Sequence, residues 1–410
     1  MTSDQRPPKR AERGGLAARI SLGSGQGPAS VEYLLILGTS ILLTAFGVVM
    51  VFSATTVRSV EAGSGPLGDG LSHLVYAAVG IPIMLIVSRF SLAWLRRIAW
   101  PVLIVALALQ ALVFTPLGYG SGGNRNWLSL GVISIQPSEF LKLALALWCA
   151  LILWRKRDRF GTFWQVWIPL VPGALLTMAA VMLGDDLGTT MIYVLVLIGA
   201  MFFGGVRGWH IAPILGGGAL GIGLLAVFSP NRLNRILSVY QGNCLEDYLS
   251  TCYQPLHAIW GLADGGVFGV GLGNSKEKYN WLPAASDDYI FAIIGEELGL
   301  VGCVVVLALF AILAVAIFRM IRRTDDVYIR AAAGGIGMWL IGQALINIGV
   351  VLRVFPALGV PLPFLSRGGS SLIAVLVGCG VLLALARRIP NTAAVDAAAA
   401  VQTPAHKIVR

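Results

Sequence analysis

The chain has 410 residues, of which 57% are hydrophobic and only 12% charged, with a mean hydropathy of +0.80. An average soluble domain carries roughly 25% charged residues, and no water-soluble globular enzyme could hide this much apolar surface, so that class is excluded. The net charge of +10 does not indicate nucleic acid, because the cations sit in short clusters between apolar runs, the pattern of membrane topology.

Residues 1–30 are polar and basic, with Gly, Pro and Ser, and read as a disordered cytoplasmic tail. The apolar run that follows is too long for the core of a cleaved signal peptide. Ten apolar segments come in order, at 33–54, 73–89, 98–116, 138–154, 163–184, 188–204, 209–228, 288–318, 328–353 and 364–386. Some 20 apolar residues cross one hydrocarbon core. The expected fold class is therefore all-α, a polytopic membrane protein of about ten transmembrane helices. Its membrane domain covers 31–388, with a large external loop at 229–287 and a second cytoplasmic tail at 389–410.

An even number of crossings puts both ends of this domain on one side, and the cations decide which. With the N-terminus inside, 21 of the 30 Lys and Arg residues fall in inner tails and loops, eight in outer loops, and Lys142 within a span. Short cytoplasmic loops retain cations, so both termini are expected to be cytoplasmic. That orientation places 13 of the 20 acids outside or at the outer ends of spans. A connection as long as 229–287 is usually functional, and the working face is expected to be external.

Three constellations could carry chemistry. In the first, Gly123-Asn124-Arg125-Asn126-Trp127 runs on to Gln136-Pro137-Ser138-Glu139 and Lys142. Glu139 and Lys142 are three apart and share a helix face; a Lys in hydrocarbon costs about 3 kcal/mol unless it meets a partner or a wet cavity. Two readings stay open: a self-satisfied ion pair, or positive potential from Lys142 and Arg125 for an anionic ligand. In the second, Asp287 and Asp288 end the outer loop where the eighth segment begins. Adjacent residues point to different sides, so one faces inward. On the face of Asp288 follow Ala292, Gly295 and Gly299, small residues that let another helix approach closely. Asp288 is then either a base whose pKa is raised by desolvation or an acid complementing a helix dipole.

The third, Gly359-Val360-Pro361-Leu362-Pro363-Phe364-Leu365-Ser366-Arg367-Gly368-Gly369, precedes the last helix. It is either a polar turn or a phosphate site at a helix N-terminus. The run Gly265–Gly273 lacks the spacing and the βαβ setting of a nucleotide loop and is rejected as one. Asp185 and Asp186 face a cavity or solvent, and His257 stands alone in the outer loop. Cys149, Cys303 and Cys379 lie in apolar runs as packing residues. Cys244 and Cys252 share the outer loop in an oxidising setting, where a disulfide is expected. No metal-ligand spacing is visible.

Several ordered motifs together resemble the SEDS family (shape, elongation, division and sporulation) over about 33–388. They are Gly47-Val48-Val49-Met50-Val51-Phe52-Ser53-Ala54, Gln136-Pro137-Ser138-Glu139, Asp186-Leu187-Gly188-Thr189, Gly271-Leu272-Gly273-Asn274-Ser275, the run Ile290 to Gly299, and Gly359-Val360-Pro361-Leu362-Pro363. Two of these runs, at 271–275 and 291–299, look more FtsW-like, the division type, than RodA-like, the elongation type. The resemblance implies a glycosyltransferase that polymerises lipid II, the undecaprenyl-pyrophosphate-linked disaccharide pentapeptide, into peptidoglycan. It places the family's essential aspartate on Asp288. Arg125, Trp127, Glu139, Lys142, Asp186, Glu296, Ser366 and Arg367 become candidate substrate-binding residues.

Two departures stand out: Asp287 where the family usually has Thr or Asn, and Arg367 where it usually has the second Ser of Ser-Ser-Gly-Gly. Implied partners are a class B penicillin-binding protein and other divisome membrane proteins, with no nucleic acid. No cofactor is required by the pattern, though a divalent cation, Mg or Mn, could assist. The rival readings are a lipid II flippase or other transporter, an elongation-type polymerase, and a scaffold that only binds a transpeptidase.

Overall fold

The computed structural model describes residues 30–121, 124–129, 131, 134–227 and 252–389. The chain runs through α1 (Val31–Glu61), α2 (Gly68–Val87), α3 (Leu92–Leu112), α4 (Pro137–Lys156), α5 (Phe163–Met182), α6 (Leu187–Gly204) and α7 (Gly208–Val227). After it come α8 (Tyr253–Gly265), α9 (Ile290–Arg322), α10 (Val327–Gly337), α11 (Gln343–Val351) and α12 (Gly369–Ala386). A π-helical turn, Met338–Gly342, makes α10 and α11 one span. Among the described residues nine helical stretches are long and apolar enough to cross a membrane. The helix α7 coincides with the seventh apolar segment, 209–228.

Local chemistry sets the helix starts. Ser30, Ser91, Asp186 and Asp326 each accept a backbone N–H from the first turn of the helix that follows, satisfying donors that have no partner inside the helix. Pro137 occupies the first turn of α4, where its missing N–H costs nothing. Gly205 ends α6 in the left-handed conformation, φ +92°, as a helix C-terminus favours.

Burial identifies the centre of the bundle. In α4, 89% of the spanning window is buried, against 22% in α3 and 28% in α5. The apolar outer faces of α3 and α5 therefore suit lipid, while α4 packs against α3, α6 and α10. A charged residue on α4 is thereby forced to find its partners inside the protein.

Three features depart from the sequence expectation. The stretch 118–135 holds a small antiparallel sheet, β1 (Gly118–Ser121), β2 (Asn124–Ser129) and β3 (Ser134–Ile135), in the order β1-β2-β3. The 229–287 connection contains α8. The eighth span is not one continuous helix either, for Gly299 breaks α9 with φ +68° and ψ −164°. A Cβ there would collide with Gly269 N and Val267 O, so only glycine fits. The loop 266–271 stitches the break. Val270 and Gly271 N–H groups donate to the carbonyls of Glu296 and Glu297, and the N–H groups of Leu300 and Val301 donate to Gly266 and Val267. The expected small-residue contact holds for the first half: Gly265 of α8 lies against the carbonyl of Gly295.

Candidate functional site

The turn before α9 is closed on one acceptor. The carbonyl of Ala284 takes the N–H groups of Asp287, Asp288 and Tyr289 at 3.0, 3.1 and 3.3 Å, with Ala284 itself at φ +56°. In this turn the two acidic side chains diverge, as adjacent positions must. Asp287 receives Arg367 Nε at 2.8 Å and Nη2 at 3.2 Å, and the Ser286 hydroxyl at 3.0 Å. Arg58 stands 3.8 Å away.

The carboxylate of Asp288 receives no hydrogen bond or ion pair among the described residues. It is half-buried and faces Gly359, with Oδ2 3.9 Å from where a Cβ on that glycine would sit. Burial, then the charges of Asp287 and Asp186, push its pKa up to about 7. A carboxyl so placed changes protonation near neutrality, the range a general base needs. It does not cap the helix: α9 starts at Ile290 after Tyr289, and its first turn holds no acid.

Behind this turn lies a polar seam built from three spans. Lys142 Nζ donates to Glu139 Oε1 at 2.8 Å and to Gln343 Oε1 at 2.9 Å, and sits 5.3 Å from the centre of the Trp339 ring. Gln343 in turn donates to the carbonyl of Pro361 at 2.7 Å, and Trp339 Nε1 donates to Gln343 Oε1 at 3.0 Å. One turn along, Asn347 Nδ2 donates to the carbonyls of Asp288 (2.7 Å) and Val360 (2.8 Å). The π-helical turn directly before Gln343 shifts the register of this span, a device often found at functional sites. Asp186 caps α6 through Thr189 N at 2.8 Å and accepts Asn126 Nδ2 at 2.7 Å. Burial nevertheless raises its pKa.

The candidate residues thus separate. Asp186, Glu139 and Lys142 gather behind Asp288, but Glu139 and Lys142 are enclosed, each with 1% of its side chain exposed. The ion-pair reading of Lys142 is the one this geometry supports. Arg125 does not join them: its guanidinium donates to the carbonyls of Val113 (3.1 Å) and Thr115 (3.1 Å), tying down the end of α3. Trp127 stacks on Tyr119 across the sheet at 6.3 Å. Glu296 is buried against Ser275 Oγ (2.5 Å) and Lys276 N (2.6 Å), holding the loop after α8. Ser366 Oγ accepts Leu362 N at 2.7 Å inside the turn before α12.

Arg367 is spent on Asp287 and, through Nη1 at 2.7 Å, on Asp69. His257, far from standing alone, meets Glu277 at 2.7 Å, and burial raises the pKa of Glu277. Cys252 is disulfide-bonded, Cys149, Cys303 and Cys379 are free thiols, and Cys244 lies outside the described residues. Gln343 and Asn347 were missed, and Asn126 figured only as part of the first constellation, with no role of its own. The signal for the first two was two amides four apart in an otherwise apolar run, hence on one face.

With this geometry in view, comparison with known proteins places the chain. The family model for FtsW/RodA/SpoVE cell cycle proteins matches residues 33–390. The chain belongs to this family. It is 34% identical over 389 residues to the probable peptidoglycan glycosyltransferase FtsW of Mycobacterium tuberculosis, covering 95% of this chain and 74% of that one. Stage V sporulation protein E of Bacillus subtilis is 34% identical over 359 residues, covering 87% and 97%. Among solved structures, a chain of a peptidoglycan synthase complex that coordinates polymerization and crosslinking superposes with a TM-score of 0.67 at 26% identity, over 86% of this chain and 96% of that one. The rod shape determining protein RodA of Thermus thermophilus gives 0.64 at 25% identity, over 86% and 95%. The FtsW/RodA/SpoVE match spans all the motifs that meet at the Asp288 turn.

Proposed function

We propose that this chain is a peptidoglycan glycosyltransferase of the division type that polymerises lipid II at the extracytoplasmic face of the membrane. The observation that carries the proposal is the Asp288 carboxylate: of the two acids in its turn it is the one with no partner among the described residues, and it is poised to titrate near pH 7. The cation asymmetry of the loops supports an external working face and cytoplasmic termini.

The chemistry asks little beyond a base. The glycosidic carbon of the donor loses its bond to the pyrophosphate oxygen and gains one to the hydroxyl oxygen of a sugar on a second lipid II. The hydroxyl proton passes to Asp288, and undecaprenyl pyrophosphate leaves with the electron pair. Displacement from the opposite side inverts the anomeric centre. Pyrophosphate is a good leaving group, so no general acid is needed, only charge to stabilise it. Lys142 and Arg125, proposed from the sequence for that task, are engaged elsewhere; among the described residues Arg58, exposed and with a 3.8 Å contact to Asp287, is a more open cation near the turn. Among the described residues no group of three His, Cys, Asp or Glu is placed to hold a metal ion, and no step is derived through one.

A class B penicillin-binding protein is the proposed partner, since the synthase complex that this fold matches couples polymerization to crosslinking. Purified protein with lipid II, with and without that partner, tests the reading on a gel. Glycan polymer from wild type and none from a folded Asp288→Asn variant is expected. Polymer from Asp288→Asn removes the base; none from wild type under either condition favours a carrier or a scaffold.

A further inference from the structure

Asp287 and Arg367 are 80 residues apart in sequence and bonded to each other in space. The contact is bidentate, Nε to Oδ1 at 2.8 Å and Nη2 to Oδ2 at 3.2 Å, the geometry that makes Arg–carboxylate pairs strong and directional. Two further bonds hold the same arginine. Its backbone N–H donates to the carbonyl of Ser286 at 2.8 Å, and its Nη1 reaches Asp69 at the start of α2 at 2.7 Å. All three guanidinium nitrogens are occupied by carboxylates, so the side chain is a clamp between the 284–289 turn and α2.

We propose that Arg367 is a positioning residue: it neutralises and anchors Asp287, so that of two neighbouring acids only Asp288 meets the substrate as an unpaired charge. This inference rests on the reading of Asp288 as the base. Without Arg367, Asp287 would keep only the exposed Arg58 contact at 3.8 Å, leaving a second, poorly compensated negative charge directly beside the base, and the turn would lose its tie to α2. The other charged or titratable groups facing the turn are Arg58 from α1, Asp69 and His73 from α2, and Asp186 from α6, with Glu139 and Lys142 behind Asp186. Arg58 makes only a longer contact with Asp287, 3.8 Å from an exposed side chain, and has no tie to α2.

The test compares lipid II polymerisation across pH for wild type, Arg367→Ser, Asp287→Asn and the double variant, with Asp288→Asn as control. Arg367→Ser should lower kcat about tenfold with little change in KM, and move the acid limb of the rate profile to higher pH. Adding Asp287→Asn should return both towards wild type. An arginine that holds the departing phosphates instead predicts a raised KM in single and double variants alike, and no rescue. Where Arg367→Ser does not fold in detergent, Asp287→Asn alone decides: a limb moved to lower pH with turnover retained supports the clamp, and an unmoved limb overturns it. Activity in Asp288→Asn would remove the underlying reading, whereas a silent Asp288→Asn with an unrescued double variant overturns only the pairing.

Discussion

One side-chain amide, that of Asn347, is bonded to the backbone carbonyl of Asp288 at 2.7 Å and fixes it from behind. The same Nδ2 also holds the carbonyl of Val360, so the 284–289 turn and the loop that faces it share one donor. A rigid span thus positions a residue that lies on a turn, which is how a catalytic group on irregular backbone keeps its aim.

Replacing Asn347 with Leu should therefore impair a reaction in which Asn347 touches no substrate. Leaving two carbonyls without their donor costs about 1–3 kcal/mol per buried group. The expected result is a lower kcat with KM little changed, read from initial rates of lipid II polymerisation. Loss confined to KM would argue that Asn347 contacts the substrate.

The pH dependence follows from Asp288. As a base with pKa about 7, it is charged above that value, so the rate should rise with pH through neutrality and fall roughly tenfold per unit below it. Asp186→Asn removes one of the charges that raise this pKa and should shift the limb to lower pH. Stability runs the other way. The folded protein holds the Asp288 proton more tightly than the unfolded chain, so this group's contribution falls as pH climbs from the ordinary carboxylate range through about 7. Thermal unfolding in detergent should show that component vanish in Asp288→Asn.

Lys142 and Glu139 form a buried pair, and such pairs are costly to break singly. Lys142→Met leaves a carboxylate enclosed without its cation, at about 3–5 kcal/mol. Glu139→Gln with Lys142→Met removes both charges and should recover much of the loss. Unfolding midpoints of the single and double variants check this; additive losses would show that the two do not act as a pair.

Gly299→Ala should destabilise the protein by several kcal/mol, because the left-handed backbone alone costs about 1–3 kcal/mol and its methyl group would collide with the backbone of residues 267 and 269. Gly299→Ala with wild-type unfolding behaviour would contradict the break in α9.

Much of the fold was legible because hydrophobic length is a direct physical demand of the bilayer. The segment 188–204 differs from α6 by one residue at its start, since Asp186 and Gly205 mark its ends chemically. The break at 299 was not legible: glycine in an apolar run reads equally well as a packing contact, and only the loop 266–271, far off in sequence, decides. The sheet at 118–135 was hidden by the shortness of its strands, of which β1 is also half glycine. At the candidate site, Asp288 stood out through its motif, and the structure leaves its carboxylate without a partner among the described residues, but the fate of Arg367, Arg125 and Lys142 could not be read. A cation's sequence neighbours say nothing of which carbonyl or carboxylate across the bundle reaches it first. Gln343 and Asn347 escaped for the converse reason, being uncharged.

The broken helix has a mechanical corollary. Residues 290–298 are fastened at their far end to the loop after α8 by two backbone bonds, at Glu296 and Glu297, and at their near end they lead directly out of the turn bearing Asp288. Force applied to that loop is thus transmitted along a stiff rod of nine residues to the turn that carries the Asp288 carboxylate, with no soft linker between to absorb it.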